Sequence, residues 1–82
     1  MNEHYLARIH HIVSSALLVG DISVKEDLFE AGYLDSIGIV NILLALEEEF
    51  QITLSMEELD LEEFRSIEQI YHLIAPQLNV SV

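Results

Sequence analysis

Cysteine is absent from the 82 residues, so no disulfide, thiolate metal site or thiol nucleophile can be built from this chain. Basic residues are almost as scarce: Arg8, Lys25 and Arg65 stand against fifteen acids, for a formal net charge of −12. With no basic patch to displace counterions, nucleic acid is a poor partner, and an anionic membrane surface is disfavoured on the same ground. The field of such a chain steers it toward basic patches on other proteins. An acidic surface also simply keeps a small domain soluble, and charge alone does not separate the two. No apolar run approaches the roughly 20 residues needed to span a bilayer, so no membrane insertion is expected. The first residues, Met1-Asn2-Glu3-His4, lack the basic-then-apolar pattern of a secretory signal. The expectation is a soluble, cytoplasmic monomer.

What is abundant is apolar surface: half the residues, 51%, are hydrophobic, enough for a compact core in one small domain. That domain is expected to fill residues 1–82, ordered from about 3 to 76 with a frayed tail over 77–82. Leu6, Ile9, Ile12, Val13, Ala16 and Leu17 recur at three- and four-residue steps, predicting an amphipathic helix from Asn2 or Glu3 to about Leu18, ended before Gly20. His10 and His11 lie beside this stripe about 100° apart, a poor chelate, and are assigned to the surface or its boundary. Residues 19–34 follow as a long loop pinned to the core by Ile22, Val24, Leu28, Phe29 and Leu34; ordered loops of this length are often functional.

A second helix is predicted from Ser36 to about Phe50, with Ile39, Ile42, Leu43, Leu46 and Phe50 facing the core. Its second apolar stripe, Ile37, Val40 and Leu44, lies on another face. Either this helix is central and fully packed, or the stripe stays exposed to meet a partner; its start next to Ser36 favours exposure. Glu47, Glu48 and Glu49 crowd the carbonyl end, where the helix dipole favours cations. That suits a solvated charge run, and equally a surface for Arg or Lys. Ile52 and Leu54 alternate inward on a short extended link. Two capping boxes follow, Ser55-Met56-Glu57-Glu58 opening a short helix and Ser66-Ile67-Glu68-Gln69 opening a last one that Pro76 stops. The fold expected is all-α: a small four-helix bundle with a long loop between helices one and two and a short third helix.

The chain is organised around Gly32-Tyr33-Leu34-Asp35-Ser36-Ile37-Gly38. Asp35 is placed to cap the second helix, and Ser36 falls in its first turn with the hydroxyl toward solvent. Free amides and the helix dipole make that spot favourable for an anion such as phosphate, and Gly38 would let a bulky group approach the backbone. An Asp-Ser pair before an apolar run can equally be a cap and nothing more. A catalytic serine needs a base and a group to orient it. His4, His10, His11 and His72 all lie on helices away from Ser36 in sequence, and so small a bundle offers no deep cleft, so a hydrolase using Ser36 with His72 or His11 is disfavoured. No phosphate-binding glycine loop, zinc spacing or EF-hand loop is present. Ser36 is better read as a site where another enzyme attaches something; the protein is not expected to be an enzyme.

The string Asp27-Leu28-Phe29-Glu30-Ala31-Gly32-Tyr33-Leu34-Asp35-Ser36-Ile37, followed one helix later by Leu46-Glu47-Glu48-Glu49-Phe50, resembles the acyl and peptidyl carrier protein family. The resemblance runs from the first helix to Ile74. It implies a four-helix bundle whose serine, here Ser36, bears 4′-phosphopantetheine from coenzyme A, with an acyl or aminoacyl group carried as a thioester between partner enzymes. Asp35 would then be a handle for a cation of the phosphopantetheinyl transferase, an Arg or its magnesium. Ile37, Val40 and Leu44 would be gripped by partners, with Glu47 and Glu48 as an acidic rim. Those partners would include a loading enzyme (an adenylating ligase or acyltransferase) and a downstream condensing or transfer enzyme.

Many fatty-acid carriers have acids or polar residues in the turn and a half after the serine, where this chain has Gly38, Ile39 and Asn41. The segment from Ile52 to Ser66, with Phe64 shortly before the last helix, is instead similar to free-standing D-alanyl and aminoacyl carriers. The competing reading is an unmodified acidic helical module that docks a basic partner through the same stripe and does not need the Ser36 hydroxyl.

Overall fold

The structure, a computed structural model, describes residues 2–55, 57 and 59–78. Among these residues the chain forms three α-helices, α1 (Glu3–Leu17), α2 (Ser36–Phe50) and α3 (Ile67–Ile74). Two 3-10 turns, Leu61–Phe64 and Ala75–Gln77, complete the regular structure. No strand occurs among the described residues. The all-helical expectation holds among the described residues, which show three α-helices where four helices, two of them short or distorted, were expected. The expected short third helix opens at Ser55–Glu58; the segment after it, Asp60–Phe64, reads from sequence as a turn or short helix and forms the 3-10 turn Leu61–Phe64, capped by the Asp60 carboxylate on the Glu62 amide at 3.0 Å. The Ser55–Glu58 capping box includes Met56 and Glu58, and so lies outside the described residues, as do residues 79–82 of the expected tail.

The helix starts follow from short polar side chains that accept otherwise orphaned amides. Asn2 accepts from His4 and Tyr5, Asp35 from Gly38, and Ser66 from Gln69. The ends are less orthodox. α1 stops with Leu18, not glycine, in the left-handed region (φ 55°), and α2 stops with Gln51 there (φ 57°). Pro76 sits inside the closing 3-10 turn, two residues past the end of α3.

α1 packs against both α2 and α3. Ile9 and Val13 of α1, Ile42 and Leu46 of α2, and Ile67, Ile70, Tyr71 and Ile74 of α3 are fully buried, joined by Leu28 from the long loop and Phe64 from the 3-10 turn. Each such side chain contributes about 1.5–3 kcal/mol relative to exposure, so the core is adequate for a domain of this size. The buried Tyr71 hydroxyl accepts from the Asn2 amide at 2.9 Å, tying the start of α1 to α3. At the closing end, Gln77 and Leu78 are part of the fold: the Gln77 amide donates to the Thr53 carbonyl at 3.1 Å, and Leu78 packs on the core.

The long loop is held by Arg65. Its guanidinium pairs with Asp27 at 2.7 Å and with Glu62, and lies 5.1 Å over the Phe29 ring, while its carbonyl accepts from the Leu28 amide at 2.7 Å. Glu68 adds a backbone bond to the Val24 carbonyl at 3.0 Å. His10, predicted at the surface boundary, is half-buried with Nε2 3.0 Å from the Ile22 carbonyl, and His11 is exposed. No cluster of His, Cys, Asp and Glu able to hold a metal occurs among the described residues.

Candidate functional site

Ser36 is the first residue of α2, and it is exposed. The Asp35 carboxylate accepts from the Gly38 amide through Oδ1 at 2.7 Å, and the Asp35 carbonyl accepts from Ile39 at 2.9 Å. Those two bonds take the third and fourth amides of the helix. The amides of Ser36 and Ile37 have no protein acceptor among the described residues, so the anion-favouring end of the helix dipole is open beside the hydroxyl. Asp35 thus caps with one oxygen, and on this exposed residue the other takes no part in the cap.

Gly38 has a different role from the one expected of it. It is buried, and a Cβ there would meet Leu17 Cδ2 at 3.0 Å and Asp35 Oδ1 at 3.1 Å. Its lack of a side chain admits the end of α1 and the capping carboxylate, not an incoming group; a side chain at the third helix position points back into the cap.

The second apolar stripe of α2 is exposed, at 72% for Ile37, 40% for Val40 and 56% for Leu44, while the first stripe is in the core. That settles the choice between a fully packed and a partly open helix. The acids at the far end divide three ways. Glu47 is half-buried and accepts from the Leu54 amide at 2.9 Å, so its carboxylate holds the extended link. Glu49 pairs with Arg8 at 2.6 Å, and Arg8 also donates to the Glu49 carbonyl at 3.2 Å, placing a cation at the carbonyl end of the helix where the dipole favours it. Glu48 alone of the three is exposed without such a bond, beside Ile12 and Ala45 on the α1 side.

Next to Ser36 lies a groove of about 300 Å³, lined by Phe29, Asp35, Ser36, Ile39, Val40 and Leu61. Phe29 and Leu61 line this groove beside Ser36, a placement that sequence reasoning missed. Phe29 reads as a core anchor and Leu61 as part of an anonymous turn, and only the pairing of loop and turn by Arg65 brings them to the same wall. The charges of that clasp hold each other ionised. Asp27 lies below its usual range because the Glu30 amide and then Arg65 bond to it, and Glu62 lies below its own because of Arg65. The Arg65 guanidinium is raised in turn, by Glu62 first and Asp27 second.

No general base bonds to Ser36 among the described residues, and the His10 ring is occupied by Ile22 and Ser14. The arrangement is that of a helical, acidic protein presenting a primary hydroxyl at a helix start, beside an apolar stripe and groove.

Residues 7–74 match the model of the family described as the phosphopantetheine attachment site. The chain belongs to that family: it is a carrier protein, not an enzyme, and its prosthetic group is 4′-phosphopantetheine. It is similar to the D-alanyl carrier protein of Streptococcus suis (strain 05ZYH33), 39% identical over 56 residues covering 66% of this chain and 71% of the relative. It is also similar to aminoacyl carrier protein 1 of Bradyrhizobium diazoefficiens, 31% identical over 67 residues, 82% of this chain and 73% of the relative. In structure it resembles a holo acyl carrier protein of Nitrosomonas europaea, with a TM-score of 0.79 at 22% identity over 93% of this chain and 98% of that one. The glycylated carrier protein crystallised with a Bradyrhizobium japonicum glycine:carrier protein ligase aligns with a TM-score of 0.62 at 27% identity, over 85% of this chain and 93% of that one.

The residues present fit the group. An exposed primary hydroxyl with open helix amides suits a phosphodiester, and the apolar wall beside it suits the aliphatic part of an arm.

Proposed function

We propose that this protein is a free-standing carrier to which 4′-phosphopantetheine is attached through the Ser36 hydroxyl, and that it shuttles an aminoacyl or acyl group between enzymes of a cytoplasmic biosynthetic pathway. The observation that carries the reading is the exposed Ser36 at the first position of α2, in a chain whose family is defined by that attachment. The group supplies a terminal thiol on a long arm, which holds cargo as a thioester. The chain's own residues do the rest. Asp35 fixes the start of α2 and offers its free oxygen to the cation of the phosphopantetheinyl transferase, while the Ser36 and Ile37 amides face the phosphate.

Ile37, Val40 and Leu44 form the apolar surface that partner enzymes cover, rimmed by acids; Glu48 is the exposed member of the pair named for that rim, and Glu47 serves it through its free oxygen. An adenylating ligase is the favoured loading enzyme over an acyltransferase. Relatives named as D-alanyl and aminoacyl carriers, and a carrier solved with its glycine ligase, support an amino acid as cargo. A downstream transfer or condensing enzyme then receives it from a monomeric carrier. The 3-10 turn Leu61–Phe64 stands for the short third helix of the four-helix plan.

Intact mass spectrometry after incubation with coenzyme A, magnesium and a broad-specificity transferase tests the attachment. Wild type gains one phosphopantetheine and Ser36→Ala gains none. Folded wild type that gains nothing, or a Ser36→Ala protein that is still modified, overturns the reading.

A further inference from the structure

Ser36 lines the groove it stands beside, so the position of the tether decides which part of an attached arm meets the groove first. Ile39 and Val40 of α2, and Phe29 and Leu61 of the loop and the 3-10 turn, line it, and among the described residues the only polar side chains of the lining, Asp35 and Ser36, stand together at the start of α2. An ionised phosphodiester on Ser36 stays at that polar end, against solvent and the helix amides, because an apolar groove offers it no hydration. One methylene beyond the phosphate, the arm has a quaternary carbon bearing two methyl groups. Past it come a hydroxyl and two amides, each needing hydrogen-bond partners that these walls lack. The dimethyl segment therefore matches the groove in both place and polarity.

We propose that the groove of Phe29, Ile39, Val40 and Leu61 seats the geminal dimethyl of the pantoyl segment, holding the proximal arm on the protein while the amides and thiol beyond it stay in solvent. The proposal rests on attachment at Ser36. It makes Arg65 a positioning residue. Arg65 ties Asp27 and Phe29 of the loop to Glu62, the neighbour of Leu61, and so sets the spacing of the outer wall.

The test is NMR of the holo protein with the two arm methyls carbon-13 labelled. Cross-peaks from these methyls to the Phe29 ring and the Val40 and Leu61 methyls are expected, with the arm-methyl resonances displaced from their positions in free coenzyme A. Leu61→Ser, at a 56% exposed position that the fold does not depend on, removes the Leu61 cross-peaks and moves the resonances back toward the free values. Arg65→Met weakens the Phe29 and Leu61 cross-peaks together; full-strength cross-peaks in this variant overturn the positioning role. Wild-type methyls at their free positions without cross-peaks overturn the seat, as do groove contacts made by the thiol-end methylenes in place of the dimethyl. Mass spectrometry of the same sample separates the two failures. An unloaded Ser36 overturns the attachment reading and the seat with it, whereas a loaded protein with free methyls overturns the seat alone.

Discussion

Replacing Leu18 with glycine is expected to stabilise the protein by about 0.5–1 kcal/mol, although it deletes a large apolar side chain. Leu18 ends α1 at φ 55° and is 91% exposed. The left-handed conformation costs a residue with a Cβ about 1–2 kcal/mol, and glycine escapes that cost. Glycine loses more backbone freedom on folding, which takes back roughly 0.5–1 kcal/mol. The side chain is so exposed that its removal costs almost no burial. At about 4–8 °C per kcal/mol for a domain of this size, the melting temperature should rise by roughly 2–8 °C. Thermal and urea unfolding by circular dichroism measure it, with Leu18→Ala as the control that removes the side chain and keeps the strain. Gln51→Gly, at φ 57° on an exposed residue closing α2, should behave alike, and the two should add because they close different helices. A Leu18→Gly protein no more stable than wild type, or matched by Leu18→Ala, refutes the reasoning, since strain would then not be the term that decides.

Asp35→Ala should cost about 1 kcal/mol by removing the cap on Gly38, whereas Asp35→Asn keeps an acceptor oxygen and stays within a few tenths of wild type. Both should slow loading by the transferase, measured as kcat/KM with coenzyme A; Asp35→Asn loaded at the wild-type rate would mean that Asp35 is a cap alone. Asp27 and Glu62 are depressed below their ordinary values of 3.8 and 4.5, so their contribution to stability is complete above those values and is lost as pH falls through the lower folded ones. The Arg65 clasp should therefore survive mild acid. Arg65→Met should shift the acid-unfolding limb to higher pH, and an unmoved limb in a pH titration followed by Phe29 ring resonances would count against the clasp.

Local signals were legible in the chain, and long-range ones were not. Asn2, Asp35 and Ser66 announce helix starts because a capping bond reaches only two or three residues along the chain. The exposed stripe of α2 was readable as well, since a helix apolar on two faces in so small a domain has too little protein around it to bury both. The ends of both helices were legible to within a residue, one before Gly20 and one at Phe50, but nothing marked Leu18 and Gln51 as residues that would enter the left-handed region, since neither is a glycine. Gly38 was visible as a gap, but what fills the gap, Leu17, comes from the far end of another helix.

The acids show most plainly why a site is harder to read than a fold. Fifteen carboxylates on three cations look in sequence like one undivided negative field. In the folded protein all three cations have partners: Arg8 with Glu49, Lys25 with Glu68, and Arg65 with Asp27 and Glu62. Glu47 is engaged by the Leu54 amide and half of Asp35 by that of Gly38. Arg8–Glu49, Lys25–Glu68 and Arg65–Asp27 join residues 41, 43 and 38 apart, which no spacing along a helix announces, whereas Arg65–Glu62 and the Asp35 cap on Gly38 are local. What folding leaves open around α2 for the proposed basic partner is the remainder, chiefly Glu48 and the second oxygens of Asp35 and Glu47, with the exposed stripe of Ile37, Val40 and Leu44 on the same helix. On the proposed reading, the charge that steers association over distance is that of the whole chain, while the charge that would fix register near Ser36 comes from the few carboxylates that folding leaves open.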